Sequence, residues 1–142
     1  MLLRSLSKSY LLPYVGSEEF INGGHRWCLW LVDVKPEELR RLPLVMERVK
    51  GVKTFRLASS AAPTRRAAIT PTRFFYQAQP ECEFIVIPEV SSERRKYVPL
   101  GLLPPNVIAS NKLYLVKSDS RYLLGVLQSA MHMAWIRVIA GR

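Results

Sequence analysis

The chain has 142 residues, 49% of them hydrophobic, with 21 Lys and Arg against 11 Asp and Glu. That is one domain's length, able to bury a core, too apolar for a disordered chain and too charged for a membrane-embedded one. A net charge of +10 points to a polyanionic partner, for which nucleic acid and an anionic membrane surface are the usual choices.

No signal peptide is expected, because Arg4, Ser5 and Lys8 interrupt the apolar start at once. Residues 10–15 (YLLPYV) predict a short strand broken by Pro13. Ser17 then caps a helical turn, with Glu18 and Glu19 at its positive end, and Asn22-Gly23-Gly24 closes it. Residues 26–34 (RWCLWLVDV) predict a strand rich in aromatic and β-branched side chains. Pro36-Glu37-Glu38 starts a helix carrying Leu39, Leu42, Val45, Met46 and Val49 on one side, kinked or split at Pro43. A second helix is expected over 51–61, and an exposed loop over 62–73, where Pro63 and Pro71 stand among Arg65, Arg66 and Arg73. Short strands are expected at 74–77, 83–87, 96–100, 107–109 and 113–116.

Arg121 to Ala140 predicts one long apolar helix. It has the length of a membrane span, but Gln128, Ser129, His132 and Arg137 lie inside it, and such groups are costly at membrane depth. A helix buried on most of its faces is the expectation. Strands and helices do not alternate strictly, so the fold class is α+β: a mixed or antiparallel sheet of short strands packed on helices, with a long buried C-terminal helix. Cys28 and Cys82 lack any metal-ligand spacing and lie in apolar runs. They read as buried free thiols in a reducing cytoplasm.

Residues 40–73 hold nine Lys and Arg and one acid, Glu47, for a net +8. The rest of the chain has only +2. Solvated helix faces usually mix signs, and this stretch does not. It is either a polyanion-binding surface or a basic soluble face.

Much chemistry is missing. No phosphate-cradling glycine loop and no nucleophilic serine motif occur. His25 and His132 have no ligand cluster around them, so no metal site is expected, and His132 between two methionines reads as a core or interface residue. Glu81, Glu83, Glu89 and Glu93 are the only basis for a small metal-dependent nuclease.

Ser91-Ser92-Glu93-Arg94-Arg95-Lys96-Tyr97 is the most informative short run. Arginine binds guanine edges or phosphates bidentately, glutamate accepts from the cytosine amino group, and serine hydroxyls position the backbone. The alternative is a charged hairpin in solvent with Glu93 and Arg95 weakly paired. Arg65, Arg66 and Arg73 form a second candidate surface, and Asn111-Lys112 a third, since asparagine suits adenine.

Taken together, PYVGSEEFING (13–23), RWCLWL (26–31), FIVIPEVSSERRKYVPLGLLPPNVIASN (84–111) and SAMHMAWIRVIAGR (129–142) resemble the target-recognition domain of MmeI-like DNA methyltransferases. The resemblance covers nearly the whole chain and is thinner across 40–75. It implies recognition of double-stranded DNA in an enzyme that moves a methyl group from S-adenosylmethionine to adenine N6 within a restriction–modification system. Many such enzymes carry a nuclease on the same chain. Leu103-Pro104-Pro105-Asn106 is not the family's Asn-Pro-Pro-Tyr catalytic motif, and the cofactor-binding glycines have no counterpart. The resemblance therefore implies a piece of a larger protein that has no catalytic or cofactor residues of its own and works beside a methyltransferase domain. Arg94, Arg95 and Lys96 would meet phosphates and the groove, with Glu93 and Arg95 reading bases. A different class of function, a protein-interaction domain using the last helix and its Met131/Met133 face, would be told apart by its behaviour with and without the rest of the parent chain.

Overall fold

The computed structural model describes residues 9–140. The expectation about Met1–Lys8 lies outside the described residues. The chain divides into two compact units, one comprising the segment up to Leu12 with Cys28–Gln77, the other Pro13–Trp27 with Ala78 onward. Strands β1 (Leu11–Val15) and β2 (Arg26–Leu29) each cross that division.

The first unit is helical. Helix α2 (Pro36–Arg40) starts on Pro36, whose missing N–H costs nothing in a first turn, with Glu37 and Glu38 at the positive end. Helix α3 (Pro43–Leu57) starts on the second proline, so Pro43 splits the predicted helix. The helix expected separately over 51–61 is the second half of α3, which runs unbroken through Gly51. Leu31, Leu42, Val45 and Val49 form a small buried core, with Tyr10, Leu29, Val34 and Leu39 packed on it. The Tyr10 hydroxyl donates to Glu38 Oε2 at 2.5 Å, which holds the phenol above its usual ionisation range. Residues 62–73 are not the expected loop. Helix α4 (Ala62–Arg66) tolerates Pro63 because it sits in the first turn, and a 3-10 turn, Ala67–Ile69, follows. Residues 74–77 form no strand; Phe74 instead packs on Trp30, ring centroids 5.4 Å apart.

The second unit holds the larger sheet core. Strand β3 (Phe84–Pro88) lies between β4 (Gly101–Leu103) and β6 (Leu113–Val116), antiparallel to both. Ile85 pairs with Leu102 on one side and Val116 on the other. Phe84, Ile85 and Val86 have no solvent exposure, so both faces of β3 are covered, as its continuous apolar run requires. The strand expected at 96–100 instead forms at 101–103, after Pro99. Phe20 of helix α1 (Ser17–Asn22) packs on Gly101, where an added Cβ would stand 2.8 Å from a ring carbon. A second sheet has the order β2–β1–β5, with β5 (Ile108–Ala109) parallel to β1. Ser17 is not the cap of α1. Gly16 is, its N–H donating to Glu19 Oε2 at 2.8 Å, and Gly23 ends the turn at φ 75°.

Two further expectations need correction. The last helix is neither single nor buried: α5 (Arg121–Leu127) and α6 (Ala130–Ala140) meet at a 49° bend around Gln128-Ser129. Only Met133 of the pair is buried, while Met131, Trp135, Val138 and Ile139 lie open to solvent. Apolar composition marks a surface that avoids water, not which chain covers it. No single helix among the described residues is long and apolar enough to cross a membrane. The thiols also differ. Cys28 is half-buried, and desolvation pushes it up to about 11, whereas Cys82 is exposed in the bend before β3. The α+β class stands as expected.

Candidate functional site

The site grows from the end of β3. Antiparallel pairing sets Pro88 opposite Leu113, so the segments after β3 and before β6 emerge at the same end of the sheet. The Glu89 N–H donates to the Lys112 carbonyl at 3.0 Å, and Lys112 Nζ meets Glu89 Oε2 at 2.8 Å. Glu89 raises the basicity of the Lys112 ammonium. Ser17 Oγ donates to the same Lys112 carbonyl, and the buried Ser110 hydroxyl accepts from the Lys112 N–H at 3.1 Å. Asn111 and Lys112 are therefore placed by a tied-down turn. The Lys112 charge is matched by a carboxylate and Asn111 is exposed.

Beyond Glu89 the chain leaves the sheet. Ser91, Ser92, Glu93, Arg94, Arg95, Lys96 and Tyr97 are all exposed. Ser92 shapes this turn, its carbonyl accepting from Arg95 N–H at 3.1 Å and its hydroxyl from Arg94 N–H at 3.3 Å. Lys96 Nζ lies 5.4 Å from the centre of the Tyr97 ring. At the far end, the Val98 N–H meets Met133 Sδ at 3.3 Å, and Gln128 Nε2 donates to the Leu100 carbonyl at 3.0 Å. The turn thus rests on α6 along a groove of about 270 Å³ lined by Glu93, Arg95, Tyr97, Met133 and Arg137. His132 takes a structural place beside it: Nδ1–H donates to the Leu127 carbonyl at 2.6 Å, bridging the bend, and the ring stacks on Trp135.

The ion pairs among the described residues are Arg26–Glu19, Lys112–Glu89 and Arg121–Glu83. Glu93 and Arg95 do not pair with each other, and among the described residues neither Arg94 nor Lys96 meets a carboxylate. Four charged groups therefore stand together on one turn without internal neutralisation. The acids at 81–93 do not converge either. Glu83 and Glu89 each hold a cation, and among the described residues no group of three or more His, Cys, Asp or Glu could hold a metal ion.

The second surface lies in the first unit. Arg40, Arg41, Arg48, Lys50, Lys53, Arg65, Arg66 and Arg73 are exposed, and none of them enters an ion pair among the described residues. Arg65 is nevertheless engaged, with Nη1 donating to the Ser59 and Ser60 carbonyls at 2.9 and 2.6 Å. Arg66 and Arg73 present their charge from a helix end and from the turn after Ile69. Two organising residues carried no signal in the sequence. Gln79 bonds the Pro105 and Val107 carbonyls, both at 2.9 Å, and Arg56 reaches three carbonyls in the following segment. Their partners are distant enough that no local pattern announces them.

These features define an α+β module whose conspicuous chemistry is cationic surface rather than a catalytic pocket. The chain belongs to the family described as MmeI, target recognition domain, whose model matches residues 2–142. It is 43% identical over 133 residues to DNA methyltransferase A of Bacillus subtilis (strain 168), covering 94% of this chain and 15% of that protein. It also superposes on the Type IIL restriction–modification enzyme MmeI, solved in complex with DNA, with a TM-score of 0.91 and 46% identity. That match covers 97% of this chain and 18% of MmeI. The chain spans less than a fifth of either relative.

Proposed function

We propose that this chain is the duplex-DNA recognition module of a restriction–modification methyltransferase. The observation that carries the reading is the exposed turn from Ser91 to Lys96, whose Arg94, Arg95 and Lys96 meet no carboxylate among the described residues. Arg94 and Lys96 contact phosphates, Glu93 and Arg95 read base edges, and Ser91 and Ser92 set the backbone. Asn111 and Lys112 stand at the same end of the sheet and extend that contact. Arg65, Arg66 and Arg73 supply phosphate contacts from the first unit, Arg65 with the donors its two carbonyl bonds leave free. The two relatives, a DNA methyltransferase and an enzyme solved with DNA, support the reading.

In this reading the chain works in the cytoplasm beside a methyltransferase domain that binds S-adenosylmethionine and modifies adenine N6. Sequencing of methylated adenines in the source genome tests that part: one modified motif, lost on deletion of the gene, is expected. Recognition itself is tested by titrating a DNA duplex at several salt concentrations. With about five phosphates neutralised, log K falls against log salt with a slope near −4.5. The double substitution Arg94→Ala with Arg95→Ala removes binding and leaves the melting temperature within a few degrees. A flat salt response, or unchanged affinity in the double variant, rejects the assignment.

A further inference from the structure

Arg56 lies near the end of α3, in the most basic part of the chain, and its charge invites counting it among phosphate contacts. Its geometry says otherwise. Nη1 donates to the Ala67 carbonyl at 2.9 Å and to Thr70 at 3.0 Å, and Nη2 donates to the Arg73 carbonyl at 2.7 Å. One planar guanidinium thus gives three hydrogen bonds to the backbone of one short segment. It is also the one residue of 50–57 that is partly buried, as its bonds to that segment require.

The clamped segment needs such support. It contains a 3-10 turn of three residues and only two turn bonds of its own among those between backbone groups, Thr70 N–H to Ala67 at 3.2 Å and Arg73 N–H to Thr70 at 3.1 Å. Ala68 is its buried residue, while Ile69 is 84% exposed. Burial therefore leaves Ile69, Thr70 and Arg73 exposed, although Ala67, Pro71 and Thr72 are partly covered. Arg66 stands at its start and Arg73 at its end, both exposed and outside any ion pair among the described residues. A loose segment would carry these two charges as independent, mobile cations. Held by Arg56, they form a pair at fixed spacing, and a fixed pair loses less entropy on meeting two phosphates.

We propose that Arg56 is a positioning residue for DNA binding: it touches no nucleic acid and sets Arg66 and Arg73 as a rigid phosphate-binding pair. This rests on the duplex-binding reading and adds a residue whose charge is not what matters. Lysine conserves the charge but offers a single compact ammonium that cannot reach three carbonyls across the plane of a guanidinium.

The experiment compares the unsubstituted 142-residue chain with Arg56→Lys, Arg56→Gln and Arg121→Lys, using a random-sequence DNA duplex over a salt series. In Arg56→Lys, affinity falls by about tenfold, although net charge is unchanged. The slope of log K against log salt becomes shallower by about 0.9 for each phosphate that is no longer neutralised. Arg56→Gln matches Arg56→Lys, and Arg121→Lys, the same exchange at a residue paired with Glu83 and outside the proposed contacts, changes affinity by less than about twofold. Hydrogen exchange at the Thr70 and Arg73 amides rises in both Arg56 variants, with the β3 amides unchanged. Lysine rescuing what glutamine loses would make Arg56 an ordinary charge and overturn the proposal. So would a lowered melting temperature with an unaltered salt slope, which is what a purely structural role produces. If the unsubstituted chain does not bind the duplex, the recognition reading fails and the proposed role falls with it. Exchange at Thr70 and Arg73 then still reports whether Arg56 holds the segment.

Discussion

Phe84, Ile85 and Val86 of β3 are sealed from solvent, and the second unit packs Phe20, Leu103, Leu113 and Leu115 around that strand. In the first unit, the fifteen residues of α3 bury only Val45 and Val49, while Leu44, Phe55 and Leu57 stay more than half exposed. The two units carry different loads. The sheet unit gathers the apolar residues of its β3 sheet into a core, leaves those of α5 and α6 open, and sets the charges of 93–96 on a turn beyond the sheet's end. The helical unit spreads charge and apolar side chains over the same helix, and fixes its backbone with hydrogen bonds from arginine. A turn anchored on a dense core can change its side chains at little cost in stability. A segment held by arginine cannot lose that arginine.

The sharpest way to break this comparison is to cut into each core. Phe84→Ala should lower the unfolding free energy by ~3–5 kcal/mol in a urea titration, through lost burial and a cavity. Leu42→Ala should cost less, ~2–3 kcal/mol, because the smaller core around it can collapse into the space. Equal costs would mean the helical core is as well packed as the sheet. Gly101→Ala comes next. Its new methyl would meet the Phe20 ring at 2.8 Å, and ~1–3 kcal/mol of overpacking is expected, recovered when Phe20 is shortened to leucine.

Alkaline pH separates the units in another way. Tyr10 and Cys28, both in the first unit, have their protonated forms favoured by folding. The stability each lends is complete below its ordinary ionisation range and disappears as pH rises through the folded value, which for Cys28 is about 11. Melting temperature should therefore fall between about pH 9 and 11, with rising exchange in α2 and α3 before β3. Tyr10→Phe combined with Cys28→Ala should flatten that fall. The smallest effect belongs to the Arg121–Glu83 pair, whose side chains are 70% and 38% exposed. Glu83→Gln should change stability by no more than ~1 kcal/mol and less at high salt.

Where local chemistry decides structure, the sequence was a good guide. Two prolines followed by apolar periodicity placed the starts of α2 and α3, and EFIVI at 83–87 announced the strand that forms at Phe84–Pro88. Where a partner decides, it was not. FFYQ has strand composition but no neighbouring ladder, so it stays irregular and lends Phe74 to Trp30. Proline at 63 read as a helix breaker because the first-turn position that excuses it depends on where α4 begins. In the candidate site, the exposure of 91–97 followed from its charge. That Lys112 would be held by Glu89 and Arg65 by its own upstream carbonyls did not, since charge counts say nothing about who is within reach.

One pairing bears on how the molecule is made. Tyr14 aligns with Ile108 in the parallel β1–β5 ladder, two positions separated by most of the chain. A ribosome releases β1 before its parallel partner, with the helical unit and the β3 sheet strand made in between. Until then that edge is an open template for other strands. Slow translation or crowded expression should favour aggregation at this stage, and supplying the segment that carries β5 in trans should relieve it.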